Sequence, residues 1–479
     1  MKSASSAAAA AAAITHSADQ QVVLVGLGHT NVQVLIQWAR MRPTAARLMC
    51  ISDQPQASYS GMLPGVLAGQ YEPAELQIDL PSLCRQAGAE LVIANWCALD
   101  RERRELHFTD HAPIRYDLLS IGIGSRPSLD SIVIAEGAPL ISIKPMQTLV
   151  ERLRAAAAQR RSQGSIGSKR DDGQGNEHRP VDDHVATGWQ VIVVGGGAGG
   201  FEVASTLPRF FERHGLARPQ ITLLTRSAEI LPTLAPSTQR RARRHLEQQG
   251  VTILTRHEAR RVQSDQVVAR ALPSPTSAPS ACQSHVRTQV PSPQPLPVTQ
   301  VPSPQPLPNI LNHPTPPQAA VGERGRGEGS SADASEVTLP ADLVIWLADA
   351  VGAPILSTLG LPTDERGFLL VQSTLQSIAD KRIFVVGDAG TIERERLPKA
   401  GVFAVRQGPI LWENIQRSLR GEPLIDYQPQ RRFLQLLSLG DGRAIASYGR
   451  WSLSGRWAWL LKDFIDRRFM RTMRGAPSA

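Results

Sequence analysis

The chain has 479 residues, more than a single hydrophobic core usually accommodates, so its length predicts two or three domains. Its apolar fraction is an ordinary 42%, and its formal net charge is +9. The basic residues do not form a nucleic-acid-binding motif, because the arginines at 240, 241, 243 and 244 are predicted to be the solvent face of a helix over 237–249. Nucleic acid is therefore not a predicted partner.

The first candidate site follows an Ala/Ser-rich tail, 1–20, that we expect to be disordered. Val22 to Val25 form a short apolar run of the kind found in parallel strands, followed by Gly26-Leu27-Gly28-His29-Thr30-Asn31. Glycines between a strand and a helix let the backbone approach a pyrophosphate, which the helix N-terminus attracts. Asn31 replaces the third glycine, so this motif alone also suits an ordinary strand–turn–helix.

The second glycine motif has complete spacing. Gly195, Gly197 and Gly200 follow the apolar run Val191 to Val194, and Glu202 continues into the predicted helix. This is the G-x-G-x-x-G arrangement of a dinucleotide-binding turn.

The strand after that helix, Ile221 to Leu224, ends in Thr225-Arg226. An acidic residue at this point binds a ribose 2′-hydroxyl, whereas an arginine accommodates a 2′-phosphate. Arg226 therefore favours NADPH over NADH, and the alternative is that it is an ordinary surface charge.

Two segments lack the pattern of a packed structure. Residues 160–187 are polar and predict a disordered loop. Residues 272–334 are rich in proline and contain a tandem repeat, Thr288 to Pro297 and Thr299 to Pro308. We predict that 272–334 is an extended insertion into a surface hairpin, with a proline-motif ligand as the alternative.

The third motif is a late Gly-Asp pair. Ile383 to Val386 predict a buried strand that leads into Gly387-Asp388. Such an aspartate either binds a cofactor hydroxyl or simply caps the next helix. Two nucleotide-binding turns together with this pair favour a chain that holds a flavin and a nicotinamide, which indicates a redox enzyme.

The four cysteines restrict the chemistry. Cys50, Cys84, Cys97 and Cys282 have neither C-x-x-C nor C-x4-C spacing. The pattern argues against a reactive disulfide and a secreted disulfide framework, and it favours a reducing compartment. Neither a zinc-binding pattern nor an apolar run of about 18 residues is present, so the sequence predicts no metal site and no transmembrane helix.

The segment 448–474 combines aromatic and basic residues. Its rings belong to Trp451, Trp457, Trp459, Phe464 and Phe469. This mixture suits peripheral contact with a membrane, but packing on the first domain or on a homodimer partner is favoured, because Asp463 and Asp466 interrupt the basic face.

Several stretches resemble a known family: Gly26 to His29, Tyr59-Ser60-Gly61-Met62-Leu63-Pro64-Gly65, Tyr116 to Ser125, and Ile465 to Met470. They are similar to two-dinucleotide-binding-domain flavoproteins of the pyridine nucleotide-disulfide oxidoreductase superfamily, in the branch of type II NADH dehydrogenases and sulfide:quinone reductases. They also resemble the module fused ahead of selenide, water dikinase. One departure is Leu347 to Ala350, where the family often has Ala-Thr-Gly.

The resemblance implies an α/β fold with two Rossmann-like domains of the three-layer ββα type. The implied FAD-binding domain is discontinuous, at 21–145 and 341–430, and the NAD(P)-binding domain spans 188–340. A C-terminal helical tail with aromatic and basic residues occupies 431–479, as a region of interface or membrane contact.

The resemblance also implies the binding residues. Those expected to hold FAD are Gly26, Gly28, His29, Asn31, Ser52, Asp53, Gly124, Ser125, Gly387, Asp388 and Val402. Those expected to hold NAD(P)H are Gly195, Gly197, Gly200, Glu202, Thr225 and Arg226. Candidate catalytic residues near the flavin are Lys399, His29 and Lys144.

The implied activity is hydride transfer from NAD(P)H to FAD, followed by electron transfer to a quinone or another small acceptor. Hydride transfer needs no protein acid or base, and no redox disulfide takes part. A selenium- or sulfur-linked oxidoreductase that serves selenide, water dikinase is one alternative, and a non-catalytic redox sensor is another. We expect a cytoplasmic protein, with peripheral contact at the cytoplasmic membrane face as one option.

Overall fold

The computed structural model describes residues 20–166, 188–273, 335–395 and 397–474. The predictions for residues 1–19, 167–187 and 274–334, including Cys282, fall outside these ranges.

The described chain contains both helices and strands, in three groups along the sequence. The first group is β1 (Gln20–Val25), α1 (His29–Arg40), β2 (Ala46–Ser52), β3 (Gln56–Ser58), α2 (Leu63–Leu67), β4 (Gln77–Asp79), α3 (Leu80–Ala87), β5 (Glu90–Ile93), β6 (Trp96–Asp100), β7 (Glu105–Phe108), β8 (Ile114–Arg115) and β9 (Leu118–Ile121). The second is β10 (Ser125–Pro127), β11 (Val133–Ile134), β12 (Leu140–Ser142), α4 (Leu149–Ile166), β13 (Gln190–Val194), α5 (Ala198–Arg213), β14 (Gln220–Leu224), α6 (Pro236–Gln248), β15 (Thr252–Leu254), β16 (His257–Val262), β17 (Gln266–Ala271), β18 (Glu336–Pro340), β19 (Leu343–Trp346) and β20 (Ala350–Gly352). The third is β21 (Leu369–Val371), β22 (Ile383–Val385), β23 (Gly390–Ile392), α7 (Gly401–Arg420), β24 (Gln435–Ser438), β25 (Ala444–Tyr448), β26 (Trp451–Gly455) and α8 (Arg456–Met473).

The first large sheet is parallel, in the order β22-β9-β1-β2-β5. Its strands read as apolar runs because both faces are covered. Helix α1 contacts both α3 and α7 on one side. On the other side the antiparallel strands β6-β7-β8 share a core with the sheet, in which Leu106 and Tyr116 lie with Val23 and Leu119. These three layers match the predicted ββα type.

The second sheet repeats this arrangement, in the order β12-β19-β13-β14-β15, again parallel. A sheet in the order β11-β16-β17-β18 covers one face, with Val262 and Val267 packed against Ile192 and Val194. Strands β17 and β18 are antiparallel partners that flank the proline-rich segment. The segment thus lies, in sequence, between two paired strands, and the prediction for the segment itself falls outside the described residues.

Two crossovers connect the sheets. Strand β10 leaves the first domain and pairs antiparallel with β20, which returns from the second. Strand β22 then joins β9 at the edge of the first sheet. The first domain is therefore discontinuous, as predicted. Helix α4 extends to Ile166, so the first residues of the predicted loop at 160–187 are helical.

The C-terminal region forms a three-stranded antiparallel sheet, β24-β25-β26, followed by α8. Helix α8 packs against all three strands and also contacts α1. This contact brings the end of the chain to the helix that starts at the first glycine loop. No helix among the described residues is long and apolar enough to cross a membrane.

Candidate nucleotide-binding and redox site

The first glycine loop leaves no room for side chains. Gly26 has φ +75°, and a Cβ there would lie 2.7 Å from backbone atoms of Ile123. A Cβ at Gly28 would lie 3.0 Å from the carbonyl oxygen of Gly122. Gly28 is the N-cap of α1 and supplies no side chain to its free N–H groups. These N–H groups and the helix dipole can therefore bind an anion.

Asn31 and Thr30 hold this loop in place. The Asn31 side chain is fully buried, donates to the carbonyl oxygen of Gly26 at 2.8 Å and accepts from the Ser120 hydroxyl at 2.8 Å. Thr30 donates to the carbonyl oxygen of Ala404 at 2.7 Å and so ties α1 to α7. Both side chains form their hydrogen bonds within the protein, and these bonds stabilise the turn of the first glycine loop.

His29 begins α1. Its ring lies 5.5 Å from the Tyr59 ring and 6.0 Å from the Phe469 ring, measured between centroids. Burial is the main cause of the lowered pKa of His29. The negative charge of Asp388 raises this pKa, whereas the positive charge of Lys144 lowers it further. The imidazole is therefore neutral near pH 7, and its Nε2 atom is buried without a hydrogen-bond partner among the described residues. An unpaired buried nitrogen is what a polar group of a bound ligand would satisfy.

Asp388 joins the third motif to the first crossover. The Ser125 hydroxyl donates to Asp388 at 3.0 Å, and Lys144 donates to the carbonyl and hydroxyl oxygens of Ser125 at 2.5 and 3.1 Å. Burial lowers the pKa of Lys144, and Asp388 opposes that shift. Gly387 and Gly124 are both in the left-handed region, with φ +62° and +76°. Predicted residues from three separate segments thus meet at one place.

Lys399 lies at the same place, before α7. It donates to the carbonyl oxygen of Gly390 at 2.6 Å and to the Thr391 hydroxyl at 3.0 Å, and it lies 3.9 Å from the Phe368 ring centroid. Burial lowers its pKa to about 8, against the attraction of Asp388. The amine is therefore mostly charged at neutral pH and loses its charge as the pH rises through 8.

The remaining residues predicted for FAD lie at strand and helix ends. Ser52 is the buried last residue of β2, and Asp53 is exposed directly after it. Val402 lies in the first turn of α7, whose N-cap, Ala400, makes no side-chain cap. The carboxyl end of β2 lies near the first glycine loop because β1 and β2 are parallel neighbours, and the N-terminal part of α7 lies near it because Thr30 bonds to Ala404.

The second glycine loop is tighter. A Cβ at Gly200 would lie 1.7 Å from the carbonyl oxygen of Gly195, so only glycine allows the helix to pack this closely on the strand. Gly195 has φ +128° and lies against the backbone of Leu347 and Ala348, the stretch that departs from the family pattern. Gly197, the N-cap of α5, has open space beside it and gives α5 no side-chain cap.

Arg226 and Thr225 follow β14. Thr225 is buried, whereas the Arg226 side chain is 52% exposed. Arg226 bonds to Asp349 at 2.5 Å and lies 3.7 Å from Glu258. The guanidinium predicted to bind a 2′-phosphate is thus already paired with carboxylates.

Glu202 does not face outward from α5. Its carboxylate accepts a bond from the backbone N–H of Ser438 in β24, at 2.8 Å. Burial raises its pKa to about 7; Lys462 and the Ser438 bond oppose this shift, and Asp466 adds to it. The half-buried Glu202 therefore belongs to a group of polar residues where α5 meets β24 and α8.

We call Tyr59, Glu202, Lys462 and Asp466 the buried charge cluster. The Tyr59 hydroxyl donates to Asp466 at 3.0 Å, and Lys462 donates to Asp466 and to the carbonyl oxygen of Gly61, both at 2.6 Å. The Lys462 and Asp466 side chains are only 9% and 5% exposed. Burial raises the pKa of Asp466, although Lys462 and Tyr59 oppose it.

This cluster was not predicted as a site, although Tyr59 and Asp466 lie in the stretches that carry the family resemblance and Glu202 was predicted to bind NAD(P)H. One signal was available: Lys462 and Asp466 are four residues apart and so share one face of α8. Met62, in the same segment as Tyr59, is buried. Cys50 and Cys84 are buried in the core around β2 and α3, and Cys97 is exposed.

Comparison with known proteins places this geometry in a family. The family model for pyridine nucleotide-disulphide oxidoreductases matches residues 20–279, which is more than half of the chain. The chain belongs to this family. Membership confirms the predicted fold class, the flavin-dependent oxidoreductase class, and the cofactors FAD and NAD(P)H.

Two curated relatives in this family match over part of their length. Demethylphylloquinone reductase NdbB of Synechocystis sp. is 30% identical over 135 residues, which cover 27% of this chain and 33% of that protein. The probable ferredoxin reductase CtmF of Castellaniella defragrans is 23% identical over 250 residues, covering 52% of each. The chain thus spans about a third of the length of the first relative and about half of the length of the second.

Solved structures show the fold of the family over nearly the whole chain. The sulfide:quinone oxidoreductase of Aquifex aeolicus has a TM-score of 0.68 at 15% identity, covering 96% of this chain and 93% of that one. NDH2 of Plasmodium falciparum, in complex with NADH, has a TM-score of 0.69 at 11% identity, covering 95% and 97%.

The residues present fit both cofactors of the family. Two glycine loops exclude side chains where a pyrophosphate must approach, and the helices that follow them, α1 and α5, have no side-chain cap. His29 offers an unpaired buried nitrogen beside the first loop. Asp388 lies within the same site.

Proposed function

We propose that the protein is an FAD-dependent NAD(P)H dehydrogenase that passes electrons to a quinone or a similar small acceptor without a redox disulfide. The observation that carries the proposal is the convergence of His29, Lys144, Asp388 and Lys399 beside the first glycine loop. When bound, FAD would supply a ring that accepts a hydride from NAD(P)H and passes the two electrons on to the acceptor. The balance is NAD(P)H + H⁺ + quinone → NAD(P)⁺ + quinol.

Each group near the flavin site has a proposed role. Gly26, Gly28 and the N-terminus of α1 bind the pyrophosphate, and Asp388, oriented by Ser125, accepts a hydrogen bond from a ribityl hydroxyl. Lys399 places a positive charge at the start of α7, where the helix dipole has the same sign. Both favour negative charge on the neighbouring cofactor.

The second loop binds the nicotinamide nucleotide. Gly195, Gly197 and Gly200 support its pyrophosphate at the N-terminus of α5. Arg226 remains the proposed contact for a 2′-phosphate, but the phosphate must compete with Asp349 and Glu258. Arg226→Gln should raise the KM for NADPH several-fold and leave the KM for NADH unchanged; equal effects on both would remove this role.

Two observations favour a quinone as acceptor. The first is the demethylphylloquinone reductase among the relatives. The second is an apolar surface on the C-terminal region, whose side chains are 41–79% exposed: Tyr448, Trp451, Leu453, Trp457, Leu460, Phe464 and Ile465. Exposed apolar surfaces of this kind mark sites of interaction. We propose peripheral membrane contact through this surface, where a lipid-soluble acceptor is available.

The test is NAD(P)H:quinone reductase activity of the FAD-loaded protein with menadione, compared between wild type and Asp388→Ala. We expect activity in wild type, and a large loss of FAD affinity and activity in the variant. Wild-type protein that holds FAD but reduces no quinone would overturn the proposal. The selenium-linked role, the homodimer and the sensor role remain predictions, and a flavin that NAD(P)H does not reduce would favour the first or the last.

A further inference from the structure

Lys144 lies on the connection between the two large sheets. It follows β12, the edge strand of the second sheet, and precedes α4. Since β12 is parallel to β19, Lys144 lies at the carboxyl end of the second sheet, the edge at which such sheets bind ligands. Its half-buried side chain nevertheless reaches the start of β10, where a Cβ at Gly124 would lie 4.0 Å from the amine.

Both hydrogen bonds of the Lys144 side chain go to one residue. The amine donates to the carbonyl oxygen of Ser125 at 2.5 Å and to the Ser125 hydroxyl oxygen at 3.1 Å. The Ser125 hydroxyl in turn donates to Oδ2 of Asp388 at 3.0 Å. Lys144 and Asp388 form no direct ion pair in the described part of the chain, so Ser125 is the link between the two charges.

The ammonium group fixes the direction of this chain of hydrogen bonds. It has three N–H donors and no acceptor, whereas a serine hydroxyl both donates and accepts. While Lys144 is charged, the Ser125 oxygen must therefore accept from Lys144 and give its own proton to Asp388. Oδ1 of Asp388 accepts no hydrogen bond from any described residue, so this oxygen is available to a cofactor hydroxyl.

The charge of Lys144 depends on its surroundings. Burial lowers the pKa of Lys144, and Asp388 opposes this shift. Two other titratable groups face the same place: His29, whose pKa is lowered mainly by burial, and Lys399, whose pKa is also lowered mainly by burial and is raised by Asp388. A neutral Lys144 has a lone pair that can accept the Ser125 proton, so Asp388 would then lose its donor.

We propose that Lys144 is a positioning residue for FAD, which acts through Ser125 to hold the Asp388 carboxylate with one oxygen free for the ribityl chain. The inference rests on the proposed function, in which Asp388 accepts a hydrogen bond from a ribityl hydroxyl. It adds that a residue following a strand of the second sheet completes the FAD site of the first domain.

The test is the affinity for FAD, measured by ultrafiltration of the FAD-loaded protein without NAD(P)H or an acceptor. It compares wild type, Lys144→Met, Ser125→Ala and the double variant. The control is Lys381→Met, which removes the same charge from an exposed position before β22. Circular dichroism checks that each variant is folded.

We expect each single variant to weaken FAD binding about tenfold, and the double variant to bind no more weakly than either, because both changes remove the same link. The ratio between the dissociation constants of Lys144→Met and wild type should fall towards one as the pH rises towards 10.5, the ordinary pKa of lysine, because the wild-type amine becomes neutral. Lys399 titrates in both proteins and so cancels in this ratio. The control should bind FAD like wild type.

Three results would overturn the proposal: Lys144→Met that binds FAD like wild type, a double variant that loses about a hundredfold in affinity because the two effects add, or a ratio that does not change with pH. Should Lys144→Met not fold, the same fall with pH is required of the ratio between Ser125→Ala and wild type. A failure of NAD(P)H to reduce the flavin would leave these results intact and would count only against the proposed function.

Discussion

Glu202 gives the clearest test of the buried charge cluster. Its pKa of about 7 lies well above the value of 4.5 that it has in an unfolded chain. Between these two pH values the unfolded chain loses this proton and the folded protein keeps it, so the free energy of unfolding falls as pH rises through this range. The difference between the two pKa values corresponds to about 3 kcal/mol of unfolding free energy, and this contribution is lost once the pH is above 7.

The perturbation is Glu202→Gln, which keeps the shape and the acceptor for the Ser438 N–H but removes the titration. The stability of this variant, relative to wild type, should rise by about 3 kcal/mol from pH 4.5 to pH 8. Urea unfolding midpoints, multiplied by a common slope, measure it. Glu212→Gln, on the same helix but 66% exposed, is the control and should show no such trend. Parallel pH profiles for Glu202→Gln and wild type would refute the assignment of a buried, proton-binding Glu202.

Three further predictions concern single contacts. Lys462→Met should destabilise the fold by about 3–5 kcal/mol, because it leaves Asp466 buried without its ion-pair partner. Adding Asp466→Asn should restore most of this loss. Equal urea midpoints for the single and double variants would argue against a buried ion pair. Gly200→Ala should weaken NAD(P)H binding at least tenfold without loss of FAD, since its Cβ would lie 1.7 Å from a carbonyl oxygen, whereas Gly199→Ala should bind normally in the same fluorescence titration. Lys399→Met should lower the midpoint potential of bound FAD by about 30 mV below pH 8, which corresponds to about 1.4 kcal/mol for two electrons. Above pH 8 the decrease should be smaller, because the wild-type amine loses its charge. A decrease that is the same on both sides of pH 8 would contradict a titrating Lys399.

The sheets and both glycine loops were predictable because their signals are local. A strand buried on both faces reads as an apolar run, as Val22 to Val25 and Val191 to Val194 do. A turn that excludes a Cβ needs glycine, as Gly26 and Gly200 show. Such constraints are written into a few consecutive residues.

Other features depend on contacts between distant residues. Asn31 looked like a missing third glycine, but its amide links Gly26 to Ser120 of a neighbouring strand, a partner that the motif does not contain. Tyr59 and Asp466 are 407 residues apart in sequence and bond directly. Arg226 looked free to bind a phosphate because its partner Asp349 lies on the returning crossover. Charge pairing of this kind requires the tertiary structure.

The most direct test of the central claim is anaerobic stopped-flow mixing of FAD-loaded protein with NADH and with NADPH, followed by the visible absorption band of oxidised flavin. The structure predicts rapid loss of this band with at least one nucleotide, because both cofactor loops are formed in one chain. A band that stays fully oxidised with both nucleotides would contradict the assignment as an NAD(P)H dehydrogenase.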